Sequence, residues 1–120
     1  MDKKRMLVVD DDEGSLEVTT VMLEGLGYEV IKATSGKECL EIAKEESPDL
    51  ILLDVMMPEM DGGETAQTLS ENLKTKNIPI IFLTSIISEK EERVIRGYIF
   101  VAKPLNKERL LEAITKVLGV

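Results

Sequence analysis

The sequence predicts an α/β fold: a doubly wound, five-stranded parallel sheet with helices on both faces. Three observations predict it. Five short apolar runs alternate along the chain with stretches of helical character, the arrangement that crossovers between parallel strands require. The runs are apolar at consecutive positions, as in strands covered on both faces. Turn and capping residues stand at the boundaries between them.

In chain order, Met6-Leu7-Val8-Val9 reads as the first strand, and Asp10-Asp11-Asp12 ends it. A helix is expected over 13–26, with Leu16, Leu23 and Leu26 on one face and Gly27 as its stop. Residues 28–33 form the second strand. Ser35-Gly36-Lys37-Glu38 is a capping box, in which serine and glutamate each satisfy a free amide at a helix start. The helix it opens runs to about Glu46 and buries Leu40 and Ala43, and Ser47-Pro48 closes it. Residues 49–54 are the third strand, bounded by the loop of Pro58 and Gly62.

The next helix is expected over 63–74, with Ala66, Leu69 and Leu73 facing the core. Residues 80–83 form a fourth buried strand that ends in Thr84-Ser85. Ser88-Glu89-Lys90-Glu91 is a second capping box, so a short fourth helix should follow before Gly97. Val94 and Ile95 are its only strong apolar residues, which makes it the least firmly packed helix. Residues 98–102 are the fifth strand, ending in Lys103-Pro104. Asn106 caps the last helix, whose buried stripe is Leu110, Ile114, Val117 and Leu118.

Composition narrows the function classes. At 120 residues and 43% apolar content, a single domain over 1–120 with one core is expected. No apolar stretch reaches the roughly 18 residues of a membrane span, and the basic start is too short for a signal peptide. The single cysteine, Cys39, rules out an internal disulfide and fits a reducing, cytoplasmic setting. Histidine is absent, which excludes a Ser-His-Asp triad and argues against a zinc site. The net charge of −8 repels nucleic acid, so direct binding to it is not expected.

Four of the five strands end in a residue with chemistry: Asp10-Asp11, Asp54, Thr84 and Lys103. Parallel strands bring these ends to one rim. With strand order 2-1-3-4-5, strands one and three are neighbours at the topological switch point, where ligands bind. Neighbouring strands are about 4.8 Å apart, so an inward-leaning lysine on strand five reaches strand three. Three carboxylates in one crevice repel, and a hard divalent cation relieves that. Mg²⁺ suits such a loop-borne oxygen site, with Mn²⁺ as a substitute. Asp54 could then attack phosphorus, with Thr84 and Lys103 hydrogen-bonding the phosphoryl oxygens.

With these motifs assembled, the chain resembles the receiver domain of two-component response regulators, of the chemotaxis-regulator kind, over essentially its whole length. The elements that carry the resemblance are Val8-Val9-Asp10-Asp11, Leu53-Asp54-Val55-Met56-Met57-Pro58-Glu59-Met60-Asp61-Gly62, Phe82-Leu83-Thr84-Ser85 and Lys103-Pro104. The resemblance implies a flavodoxin-like (βα)5 fold and a phosphoacceptor switch rather than an enzyme, with at most weak self-phosphorylation and autophosphatase activity. Asp54 looks like the phosphoacceptor. Asp11 looks like the direct metal ligand, assisted by Asp10, by Asp54 and by the main-chain carbonyl of Met56. Thr84 resembles the switch hydroxyl and Phe100 the rotating aromatic switch residue. Lys103 resembles the phosphate-pairing lysine, with a typically cis bond to Pro104.

The implied partners are a histidine kinase or phosphotransfer protein upstream, and an output protein or fused effector beyond this chain. Phosphorylation-dependent homodimerisation through the fourth and last helices is compatible with the resemblance. One region departs from the pattern: the segment between Thr84 and Lys103 is short, which trims the fourth helix or its loop. A docking module that has lost phosphorylation is the alternative. Met56 and Ile86, two residues after the acceptor and the switch hydroxyl, cannot orient an attacking water by a hydrogen bond. Slow self-dephosphorylation is therefore expected.

Overall fold

Five parallel strands lie in the expected 2-1-3-4-5 spatial order, and a sixth, antiparallel strand extends one edge. The structure is a computed structural model that describes residues 3–85, the backbone of 93–95, and residues 98–119. Its elements are β1 (Arg5–Val9), α1 (Glu13–Gly25), β2 (Glu29–Ala33), α2 (Gly36–Glu46), β3 (Leu50–Asp54), α3 (Gly62–Ser70), β4 (Ile80–Thr84), β5 (Arg93–Ile95), β6 (Tyr98–Ala102) and α4 (Lys107–Leu118). The full order across the sheet is β2-β1-β3-β4-β6-β5.

Alternation along each strand divides the core into two layers. Met6 and Val8, Leu50 and Leu52, and Ile81 and Leu83 pack against Leu16 and Leu23 of α1 and Leu110 and Ile114 of α4. Their neighbours Leu7 and Val9, Ile51 and Leu53, and Ile80 and Phe82 pack against Cys39 and Ala43 of α2 and Ala66 and Leu69 of α3. The apolar runs thus have no polar alternation because both faces are covered. Each fully buried aliphatic side chain contributes on the order of 1.5–3 kcal/mol of transfer free energy.

Local chemistry sets the helix ends. Asp12 caps α1 by accepting from the Gly14 amide. At its other end Gly27 adopts φ 97°, and the Tyr28 amide returns to the Leu23 carbonyl, closing the helix in a left-handed turn. Ser35 accepts from the Glu38 amide while the Glu38 carboxylate accepts from the Thr34 amide. Asp61 and Glu64 form a full capping box on α3. Asn106 accepts from the amides of Glu108 and Arg109 on α4.

Two expectations are corrected. The helix expected over 63–74 ends at Ser70, and Leu73 is exposed rather than buried. The reason is local: Asn72 Oδ1 accepts from the Lys74 amide, and buried Thr75 turns its hydroxyl onto the Leu69 carbonyl. Both bonds satisfy groups that a continued helix would use. The short helix expected to include Val94 and Ile95 is, at those residues, the strand β5. β-Branched side chains favour that conformation, and pairing with β6 satisfies the backbone. The capping box at 88–91 lies outside the described residues.

Candidate functional site at the carboxyl rim

β1 and β3 are adjacent and in register, Val9 opposite Leu53, so the residues that follow each strand meet at the same rim. Asp10 is almost fully buried, with its amide bonded to the Ala33 carbonyl of β2. One Asp10 oxygen accepts from the Asp12 amide at 3.0 Å, which ties it to the start of α1. Asp54 is the last residue of β3 and is 7% exposed. Asp11 stands exposed beside them. One oxygen from each of Asp10, Asp11 and Asp54 lies within 4.8 Å of the others.

Lys103 reaches this cluster from the end of β6. Its ammonium donates to Asp10 Oδ2 at 2.6 Å and to Ser15 Oγ at 3.0 Å, and lies 3.4 Å from Asp54 Oδ1. The Lys103 amide donates to the Thr84 carbonyl at 2.8 Å, which joins the lysine to the end of β4. The Lys103–Pro104 peptide is cis.

The electrostatics are unbalanced. Burial holds the Asp54 carboxyl above the usual carboxylate range. The Lys103 ammonium works against this, while Asp10 and then Asp11 add to it. Burial alone would lower Lys103, but its hydrogen bond to Asp10, with the charges of Asp10 and Asp54, leaves it above its ordinary value. Three carboxylates facing one ammonium leave a surplus of negative charge. Hard oxygen donors so grouped fit a divalent cation such as magnesium.

The loop after β3 is held close. The Gly62 amide donates to the Val55 carbonyl, and a Cβ at Gly62 would stand 2.5 Å from the Asp54 carbonyl oxygen. Glycine is required there by that approach. A cavity of about 360 Å³ at the opposite rim is lined by Leu69, Thr75, Ile78 and Tyr98 among others, with no carboxylate among its described residues.

Comparison with known proteins agrees with this geometry. The chain matches the response regulator receiver domain family over residues 6–115. It belongs to that family. The receiver is 34% identical over 119 residues to the polar-differentiation response regulator DivK of Brucella ovis, covering 97% of each chain. Among solved structures it is similar to Vibrio cholerae chemotaxis protein CheY4, with 32% identity, a TM-score of 0.85, and coverage of 98% of this chain and 100% of that one. The N-terminal domain of a response regulator receiver protein from Methanoculleus marisnigri is 40% identical over 97% of both chains, with a TM-score of 0.74.

Of the residues singled out from the sequence, Asp10, Asp11, Asp54 and Lys103 meet at the rim of the receiver. Thr84 is buried at the end of β4, on the same sheet face as Phe82 and Phe100. Phe100 is half-buried, its ring stacked on Phe82 at 4.8 Å. The Met56 side chain is 61% exposed. Ile86 lies outside the described residues. Ser15 touches the lysine and was not singled out. A serine in a first helical turn is too ordinary a helix-start residue to stand out.

Proposed function

We propose that this receiver is a phosphoacceptor switch of a two-component system, with Asp54 as the acceptor and a phosphohistidine of a histidine kinase or phosphotransfer protein as donor. The observation that carries the reading is the meeting of Asp54, Asp10 and Asp11 with the Lys103 ammonium at one rim. An Asp54 oxygen forms a bond to phosphorus as the phosphorus–nitrogen bond of the donor breaks. The bonding pair leaves with the imidazole nitrogen, which takes a proton from solvent. Lys103 supplies hydrogen bonds to the transferred group, whose charge is spread over three oxygens.

Asp10, Asp11, Asp54 and the Met56 carbonyl would hold Mg²⁺, or Mn²⁺ in its place. The bound ion supplies neutralisation of phosphoryl charge. Thr84 would then bond a phosphoryl oxygen, and Phe100, on the same sheet face, would follow as a population shift. The surface that reports the change would be built from β5, β6 and α4, since Arg93–Ile95 is strand in this chain. The output partner binds there, whether a separate protein, a fused effector or a second copy. Self-dephosphorylation is slow because Met56 offers no hydrogen bond to a water. The protein works in the cytoplasm as a signalling domain rather than as an enzyme acting on other molecules.

The test is intact-protein mass after incubation with Mg²⁺ and acetyl phosphate or phosphoramidate. One added phosphoryl mass is expected, absent in Asp54→Ala. No added mass, or an added mass retained in Asp54→Ala, would overturn the reading. The strand at Arg93–Ile95 favours one alternative, a docking module that is never phosphorylated. It predicts no added mass in the same assay.

A further inference from the structure

We infer that Ser15 is a positioning residue for Lys103: its hydroxyl oxygen is a third, uncharged acceptor that fixes the lysine ammonium over the acid rim. The inference rests on the phosphoacceptor reading above. An ammonium carries three N–H donors and no acceptor. Three acceptors surround this one, each from a different element: Asp10 Oδ2 at 2.6 Å after β1, Ser15 Oγ at 3.0 Å on α1, and Asp54 Oδ1 at 3.4 Å at the end of β3.

Two of these acceptors have a competing use. Asp10 and Asp54 belong to the carboxylate cluster suited to a cation, and Asp54 is the oxygen that attacks phosphorus. Ser15 has no such competition. Its hydroxyl is neutral and a poorer ligand for a hard cation than a carboxylate. Its place is fixed as well. Asp12 caps the helix that carries it, the Leu16 amide closes onto the Asp12 carbonyl, and the Thr19 hydroxyl donates to the Ser15 carbonyl.

A lysine stem loses much rotamer freedom when its end is held. Ser15 holds that end in the unphosphorylated protein, so less ordering remains when a phosphoryl oxygen arrives. With alanine at this position the ammonium has the two acids alone. Those acids are the groups whose charges are redistributed when a cation and a phosphoryl group enter. The direction of the ammonium toward the incoming oxygen is then no longer set from α1.

The experiment compares Ser15→Ala and Ser15→Thr, each in the native and the Lys103→Ala background. In the metal-free protein, ¹³C relaxation of the Lys103 Cε should report greater mobility in Ser15→Ala and native-like order in Ser15→Thr. With Mg²⁺ and phosphoramidate, Ser15→Ala should raise the donor concentration for half-maximal phosphorylation rate by roughly tenfold. Ser15→Thr should restore it, and Ser15→Ala should add nothing in the Lys103→Ala background. Unchanged Lys103 mobility in Ser15→Ala overturns the assignment. So does an equal loss of rate with and without the lysine, which would mark a merely structural role. A native protein that accepts no phosphoryl group would defeat the phosphoacceptor reading, while the relaxation measurement still decides the role of Ser15.

Discussion

On the acid side, Asp54 gives the free receiver a pH dependence. Burial raises its carboxyl in the folded chain above the value of about 3.9 of a free aspartate. Between those two values the folded state binds more protons than the unfolded state, so stability falls as pH rises through that window. As it ionises, Asp54 thus becomes a destabilising group. In metal-free buffer at pH 7, Asp54→Asn should raise Tm. The gain should disappear below about pH 3.9, where the aspartate is protonated in both states. Calorimetry across pH checks this, and a lower Tm for the variant at neutral pH would contradict it. Asp10, Asp11, Asp54 and Lys103 were legible in the sequence because each follows an apolar run, so strand pairing alone determines that they meet. Ser15 was not, because its contact depends on which way the first turn of α1 faces.

At the scale of elements, strands were legible from apolar runs, and helix starts from caps such as Ser35 with Glu38. Helix ends were harder. Leu69 and Leu73 are four apart and suggest a continuing apolar face, yet α3 stops at Ser70 and Leu73 is 84% exposed. The deciding feature is a buried side-chain hydrogen bond, Thr75 Oγ1 to the Leu69 carbonyl at 2.7 Å, which no periodicity reveals. Thr75→Val keeps the shape but leaves the Leu69 carbonyl with backbone amides alone, that of Asn72 at 3.4 Å. It should cost about 0.5–1.5 kcal/mol in urea unfolding, whereas Leu73→Ala should cost under about 0.5 kcal/mol. Equal effects would show that the bond does not terminate α3. At Arg93–Ile95 a helix-start signal upstream competed with β-branched residues, and pairing with β6 decided the outcome. Tertiary contact there overrode local preference, as it commonly does for short segments.

The whole molecule carries an excess of acid over base, and among the described residues three carboxylates gather at one rim. Magnesium should therefore stabilise the receiver against unfolding. At about a hundred times its dissociation constant the gain should be about 2.7 kcal/mol. Asp11 is exposed, so Asp11→Ala should leave the metal-free Tm nearly unchanged yet remove most of that increment. Equal magnesium responses in the two proteins would exclude Asp11 from the site. The rim itself follows from topology, since β1, β2, β3, β4 and β6 all run in the same sense.

The added edge strand has a mechanical consequence. Phe100 sits opposite Phe82 on β4 and opposite Arg93 on β5, so its backbone is laced on both flanks. Sliding β6 would unzip two ladders together. On the proposed switch reading, a change at the rim would leave by the turning of rings, with the peptide frame standing still. Amide hydrogen exchange at residues 99–101 should accordingly be the same before and after phosphorylation, while the ring resonances of Phe82 and Phe100 move.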